Sequence, residues 1–178
     1  DVYKRQLLMQ GRKRGLQGDA VDHLERQLSS SAKHDLVPSE RASELLTLYK
    51  QGDFNKALDI GIKLFEQFPN DPNVPNFLGT IKSSLGEHVS AIEYYNKAIE
   101  LGPQNVQAYN NLGNALNELG RFEEAIISYR KAIELKSDYT DAYYNLGVVL
   151  SEVDRLSEAV FYYNKVIELR PDYAQAHN

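Results

Sequence analysis

A register of 34 residues runs through most of this chain and limits what it can fold into. Ala57, Ala91, Ala125 and Ala159 stand 34 apart, as do Gly52, Gly86 and Gly120, with Asp154 in the fourth place. Leu78-Gly79, Leu112-Gly113 and Leu146-Gly147 keep the same step, and so do Tyr95, Tyr129 and Tyr163. Pro69, Pro103 and Pro171 complete the set, with Ser137 filling the gap. A constant period of this length means that one supersecondary unit recurs. Each unit then buries its apolar face against its neighbours.

Within residues 106–139, Tyr109, Leu112, Leu116 and Leu119 fall at three- and four-residue steps, which marks one face of a helix. Gly120 ends that helix. A second apolar face follows through Phe122, Ala125, Ile126, Tyr129, Ile133 and Leu135, up to the Lys136-Ser137-Asp138 turn. Each unit is therefore expected to be a pair of antiparallel helices, A and B. The small residues have steric roles: Gly113 and Ala125 admit close approach of the pair, and Ala132 leaves room for the helix of the next unit.

An aromatic, a Leu-Gly, a turn glycine, an alanine, a second aromatic, a second alanine and a closing proline resemble the pattern of the tetratricopeptide repeat family. The resemblance covers 136 residues, as units 38–71, 72–105, 106–139 and 140–173, with residues 174–178 opening a fifth. It implies an all-α fold, a right-handed α-solenoid of helix-turn-helix units. The third and fourth units fit best. The first has Glu44-Leu45 in place of Leu-Gly and the second has Pro75 in an aromatic place, so their A helices are expected to be shifted or shortened.

Residues 7–37 give a weaker echo through Leu7, Gly15, Ala20 and Leu24, read as a degenerate repeat or capping helix pair, or else as a helical linker. Ser39-Glu40 reads as a new N-cap with an acidic first turn. Residues 1–6, DVYKRQ, resemble the translation of a sequencing adaptor and are set aside from the fold argument. On that reading the chain is a fragment. If its array is cut at Asn178, the last B helix should leave Val160, Tyr163 and Ile167 partly uncovered and prone to self-association.

The net charge is −5, from 20 basic and 25 acidic residues, and the acidic excess lies beyond residue 37. That argues against duplex nucleic acid. No apolar run approaches the ~18–20 residues of a membrane span, so no membrane partner is expected and the chain is read as cytoplasmic. With no cysteine there is no thiolate metal site or thiol nucleophile. His23, His34, His88 and His177 are scattered without metal-ligand spacing, and the glycine-rich stretch 11–18 lacks the Gly-Lys-Ser/Thr ending of a phosphate loop. No cofactor and no catalytic residue are expected within this chain. The tyrosine-rich stripe, including Tyr94-Tyr95, Tyr143-Tyr144 and Tyr162-Tyr163, is read as packing and not as a nucleic-acid stacking platform, because Tyr95, Tyr129 and Tyr163 follow the core register and few bases accompany them.

In the family the A helices line a concave groove, so their outward places should decide what is bound. Counting from the first residue of each unit, these are the second, fifth, sixth, ninth, twelfth and thirteenth places. The candidate groove residues are Asn76, Thr80, Asn110, Asn111, Asn114, Asn117, Tyr144, Asn145 and Val148. An asparagine offers donors and an acceptor, so a row of them can hold the backbone of an extended peptide. Asn111 and Asn145 sit one repeat apart, in places that resemble the asparagine ladder of peptide O-linked N-acetylglucosamine transferases, while Phe77 and Ser43 interrupt it. The same asparagines also serve simply to solvate a polar face. A carboxylate clamp for acidic chaperone tails lacks its bases, since Ala42, Asn76, Asn110 and Tyr144 hold the lysine place. The expected function is a protein interaction scaffold for an extended peptide or partner helix. The alternative is the substrate-recruiting arm of a larger glycosyltransferase, sulfotransferase or oxygenase.

Overall fold

A computed structural model describes residues 36–170, and they form eight α-helices with no strand among the described residues. The helices are α1 (Ser39–Lys50), α2 (Phe54–Gln67), α3 (Asn73–Ser84), α4 (His88–Leu101), α5 (Val106–Glu118), α6 (Phe122–Leu135), α7 (Thr140–Glu152) and α8 (Leu156–Leu169). The expected helical segment before residue 36 and the opening of a fifth unit at 174–178 lie outside the described residues.

Consecutive helices pair into four hairpins stacked in chain order. The odd helices α3, α5 and α7 also touch one another directly, whereas the even helices are kept apart by them. Bringing one layer closer than the other bends the stack, so the odd helices form its inner, concave wall and the even helices its outer one. The architecture is an all-α solenoid.

The turns inside the hairpins depend on a left-handed residue. Gly52, Gly86 and Gly120 adopt φ of +77°, +77° and +70°, and Asp154 adopts +60° in the fourth hairpin. The backbone of Arg121 then returns to the Leu116 carbonyl at 2.9 Å, and the same bond recurs from Asp53, Glu87 and Arg155. Such a turn satisfies carbonyls that the helix end leaves open.

Inside each hairpin the close approach has a specific lock. A Cβ added at Gly79, Gly113 or Gly147 would lie 2.6, 2.5 or 2.7 Å from a ring carbon of Tyr95, Tyr129 or Tyr163. The tyrosine of the even helix thus lies flat across a bare stretch of the odd one. The conserved-step alanines Ala57, Ala91 and Ala125 are fully buried, as are Ala98 and Ala132 at the interfaces between units. Two apolar clusters result, one around Leu45, Leu64, Leu78 and Ile81, the other running from Ala91 through Tyr129 and Leu150 to Ala159.

The two deviant A helices are shortened by one residue rather than shifted. α5 and α7 begin at the first place of their units, whereas α1 and α3 begin at the second, directly after Pro38 and Pro72. Ser39 is accordingly the first helical residue and not the cap. Pro75 is buried in the first turn of α3, where a missing N–H breaks no helical bond.

At the far end α8 has no described neighbour on its outer side. Val160 is 57% exposed, while Ile126, its counterpart one unit earlier, is 1% exposed. Ile167 is likewise exposed, and Tyr163 is half-buried against Gly147 and Tyr144.

Candidate functional site

The inner wall is built from the odd helices, and its floor is a hydrogen-bonded chain of amides. Asn76 and Asn110, at the fifth place of the second and third repeats, are buried between repeats. Asn111 Nδ2 donates to Asn76 Oδ1 at 3.2 Å, and Asn145 Nδ2 donates to Asn110 Oδ1 at 3.1 Å. Asn145 Nδ2 also donates to Asn114 Oδ1 at 3.0 Å, which accepts the Tyr129 hydroxyl at 2.8 Å. In the third and fourth repeats the sixth-place amide is therefore fixed by the fifth-place amide of the repeat before.

Fixing the donors leaves acceptors open. Oδ1 of Asn111 and of Asn145 accepts no hydrogen bond from any described residue. Beside them Asn117 is half-buried and its Oδ1, buried as an atom, also has no partner. Two amide oxygens of this wall, on Asn111 and Asn145, are thus left without a protein donor.

The remaining candidate residues fall on the same wall. Thr80 is half-buried and spends its hydroxyl on the Asn76 carbonyl at 3.0 Å. Val148 is half-buried. Tyr144 is exposed, with its ring 6.1 Å from that of Tyr163. A cleft of about 450 Å³ opens over Asn114, Asn117, Asn145 and Val148, with Ser83, Ser84, His88, Glu118 and Tyr129 completing its wall. A smaller one of about 220 Å³ lies beside Asn110, Tyr144 and Arg170.

Tyr129 and His88 line the cleft although the periodicity does not single them out, whereas Ser83 holds a twelfth place. Tyr129 counts as core by its spacing, and its ring is 1% exposed. Because it crosses over Gly113, however, its hydroxyl end emerges on the inner wall. A buried aromatic with a polar tip commonly behaves in this way. Burial raises the Tyr129 phenol above its ordinary value, and the negative charges of Glu118 and Glu152 raise it further. Burial also raises Tyr95, partly offset by hydrogen bonding to Thr80 and Ser83. His88 Nδ1 lies 3.4 Å from Ser83 Oγ across the hairpin turn.

At the first interface the wall changes character. Ala42 and Phe77 hold the fifth and sixth places there. With Leu45, Leu64 and Val74 they line an apolar notch of about 240 Å³. Asp71 is buried beside this notch and accepts the backbone N–H groups of Val37 and Asn73, each at 2.9 Å. Among the described residues there is no group of three or more potential metal ligands, and no helix is long and apolar enough to cross a membrane.

Family models described as tetratricopeptide repeat match residues 76–105, 94–127 and 140–173, and one described as TPR repeat matches 113–153. No curated protein sequence matches the chain. Among solved structures, the crystal structure of MamA is 30% identical over 73% of this chain and 76% of its own, with a TM-score of 0.67. The first TPR of Spaghetti (RPAP3), bound to the HSP90 peptide SRMEEVD, is 25% identical over 66% of this chain and 97% of its own, at 0.61. YrrB, described as a TPR protein with an unusual peptide-binding site, shares the fold at 22% identity over 87% of this chain and 77% of its own, at 0.66.

Proposed function

The chain belongs to the tetratricopeptide repeat family, and from that premise we propose that it is an interaction scaffold holding an extended peptide along the odd helices. The observation that carries this reading is the amide chain on the inner wall. Asn111 and Asn145 are anchored by Asn76 and Asn110 before any ligand arrives, their oxygens accept no hydrogen bond from a described residue, and Asn145 lines the cleft. Acceptors fixed in advance lose little freedom on binding, so their hydrogen bonds contribute more of their strength to affinity. Peptide-bound relatives of the same fold support the reading.

The test is selection of peptides from a displayed random library against the full chain, followed by two variants. Val148→Arg fills the cleft and should abolish binding. Asn111→Ala with Asn145→Ala should weaken it by ~1–3 kcal/mol through unmade polar contacts. Selected peptides that bind both variants as tightly as the parent would sink the proposal.

A further inference from the structure

We propose that the occupant of the cleft across the second to fourth repeats is an extended segment bearing a lysine or arginine, with its cationic end held between Glu118 and Glu152. This rests on the peptide-groove reading and adds the charge of the partner. The first support is where the two carboxylates stand. Glu118 and Glu152 are the last residues of α5 and α7, at the thirteenth place of their repeats. A helix ends in the negative pole of its macrodipole, so an anion there is disfavoured and a cation is favoured. Two successive inner helices thus carry a carboxylate where folding alone prefers a base, and the first of them lines the cleft.

The second support is the pairing of charge elsewhere. On the outer helices Glu100, Glu124, Glu134 and Glu158 each meet a lysine or arginine three residues away. Among the described residues, Glu118 and Glu152 form no ion pair. The nearest bases in sequence are committed: Arg121 grips Glu124 with two hydrogen bonds, and Arg155 does the same with Glu158. Glu118 stands on the cleft wall with Tyr129, and Glu152 holds the same place on α7, the inner helix that packs directly against α5.

The third support is the demand for donors. Asn145 lines this cleft, and its Oδ1 accepts no hydrogen bond from any described residue. An ammonium brings three N–H donors and a guanidinium five. The thirteenth place also gives the groove a direction, because it reads Lys50, Ser84, Glu118, Glu152 from the first repeat to the fourth. A cationic segment is repelled at one end and attracted at the other, so the field orients it as well as holding it.

The experiment uses the full chain and the displayed random library. Lysine- or arginine-bearing peptides should be enriched, and changing that residue to glutamine should weaken binding about three- to tenfold at low salt, the range for two partly exposed ion pairs. Glu118→Gln with Glu152→Gln should remove the preference while raising the melting temperature slightly, since the helix ends lose an unfavourable charge. Neutral or acidic peptides that are blocked by Val148→Arg and indifferent to the two glutamine changes would overturn the charge assignment and leave the groove standing. Binding that Val148→Arg leaves intact overturns the groove itself.

Discussion

The first hairpin and the three that follow put their small residue on opposite halves. In the later hairpins the odd helix supplies the glycine and the even helix the tyrosine. In the first, the eighth place holds Leu45 and the twenty-fourth holds Gly61, where an added Cβ would lie 2.7 Å from Leu78 Cδ2 and 3.9 Å from Leu45 Cδ1. Gly61 makes room chiefly for Leu78 of the next hairpin, with Leu45 at ordinary contact distance, so the first hairpin places its small residue on the even helix where the later ones place it on the odd. The order matters for the groove. Only a tyrosine on the even helix sends a hydroxyl through to the inner wall, so the later repeats floor the groove with amides while the first interface offers Ala42 and Phe77.

The sharpest way to break this comparison is to put a large residue on both helices of one hairpin. Gly113→Leu leaves Tyr129 nowhere to lie and should cost about 3 kcal/mol or more, read from urea denaturation. Adding Tyr129→Gly copies the first hairpin. Although the loss of the ring is itself destabilising, the double variant should be more stable than the sum of its parts by at least about 1 kcal/mol. Strict additivity would mean that the two places do not share one volume.

The asymmetry also marks how far the sequence can be read. The period, the hairpins, the turn residues and the buried alanines all follow from spacing, because they repeat at fixed places. Leu45 stands out as a departure, yet Gly61 does not, since its meaning appears only when Leu78 of the next hairpin is seen packed against it. The groove is legible as a set of places and not as a network. Helical periodicity puts Asn76, Asn110, Asn111 and Asn145 on one wall, but which amide points between repeats and which faces the cleft depends on how successive hairpins are rotated. Tyr129 shows the same limit, being core by its ring and groove by its hydroxyl.

A second pair of variants moves the comparison to the interfaces between repeats. Asn110→Ala removes an acceptor that is 5% exposed and costs Asn145 one of its two bonds, with an expected loss of about 1–2 kcal/mol. Asn110→Ala with Asn145→Phe reproduces the Ala42 and Phe77 pairing of the first interface and should recover part of that loss, measured by thermal melts. No recovery would show that the apolar solution depends on Leu45 and Val74 beneath it.

Alkaline pH separates the two kinds of hairpin without a core substitution. A phenol whose pKa is raised on folding keeps its proton more tightly folded than unfolded, so its contribution is intact below about 10 and is lost as pH rises beyond that. Tyr95 and Tyr129 are both raised, chiefly by burial. Each should therefore erode stability by up to about 1.4 kcal/mol per pH unit above that point. The first hairpin has Gly61 in the tyrosine's place and contributes nothing of this kind. Tyr95→Phe with Tyr129→Phe should flatten the slope, and an unchanged slope would assign the loss to other groups.

The smallest effect tests the turns, where the fourth repeat is the exception. Asp154 carries φ +60° where the other three repeats place glycine. A Cβ at Gly52, Gly86 or Gly120 would meet nothing within 4 Å, so only the backbone conformation distinguishes the residues there. Asp154→Gly relieves the left-handed strain, offset by the added freedom of glycine in the unfolded chain, and should stabilise by about 0.5 kcal/mol. Gly120→Ala should cost about 1 kcal/mol by the same reasoning in reverse. If Gly120→Ala behaves so and Asp154→Gly fails to stabilise, the aspartate side chain compensates for its own strain, and the fourth turn, like the first hairpin, reaches the common geometry by a different residue.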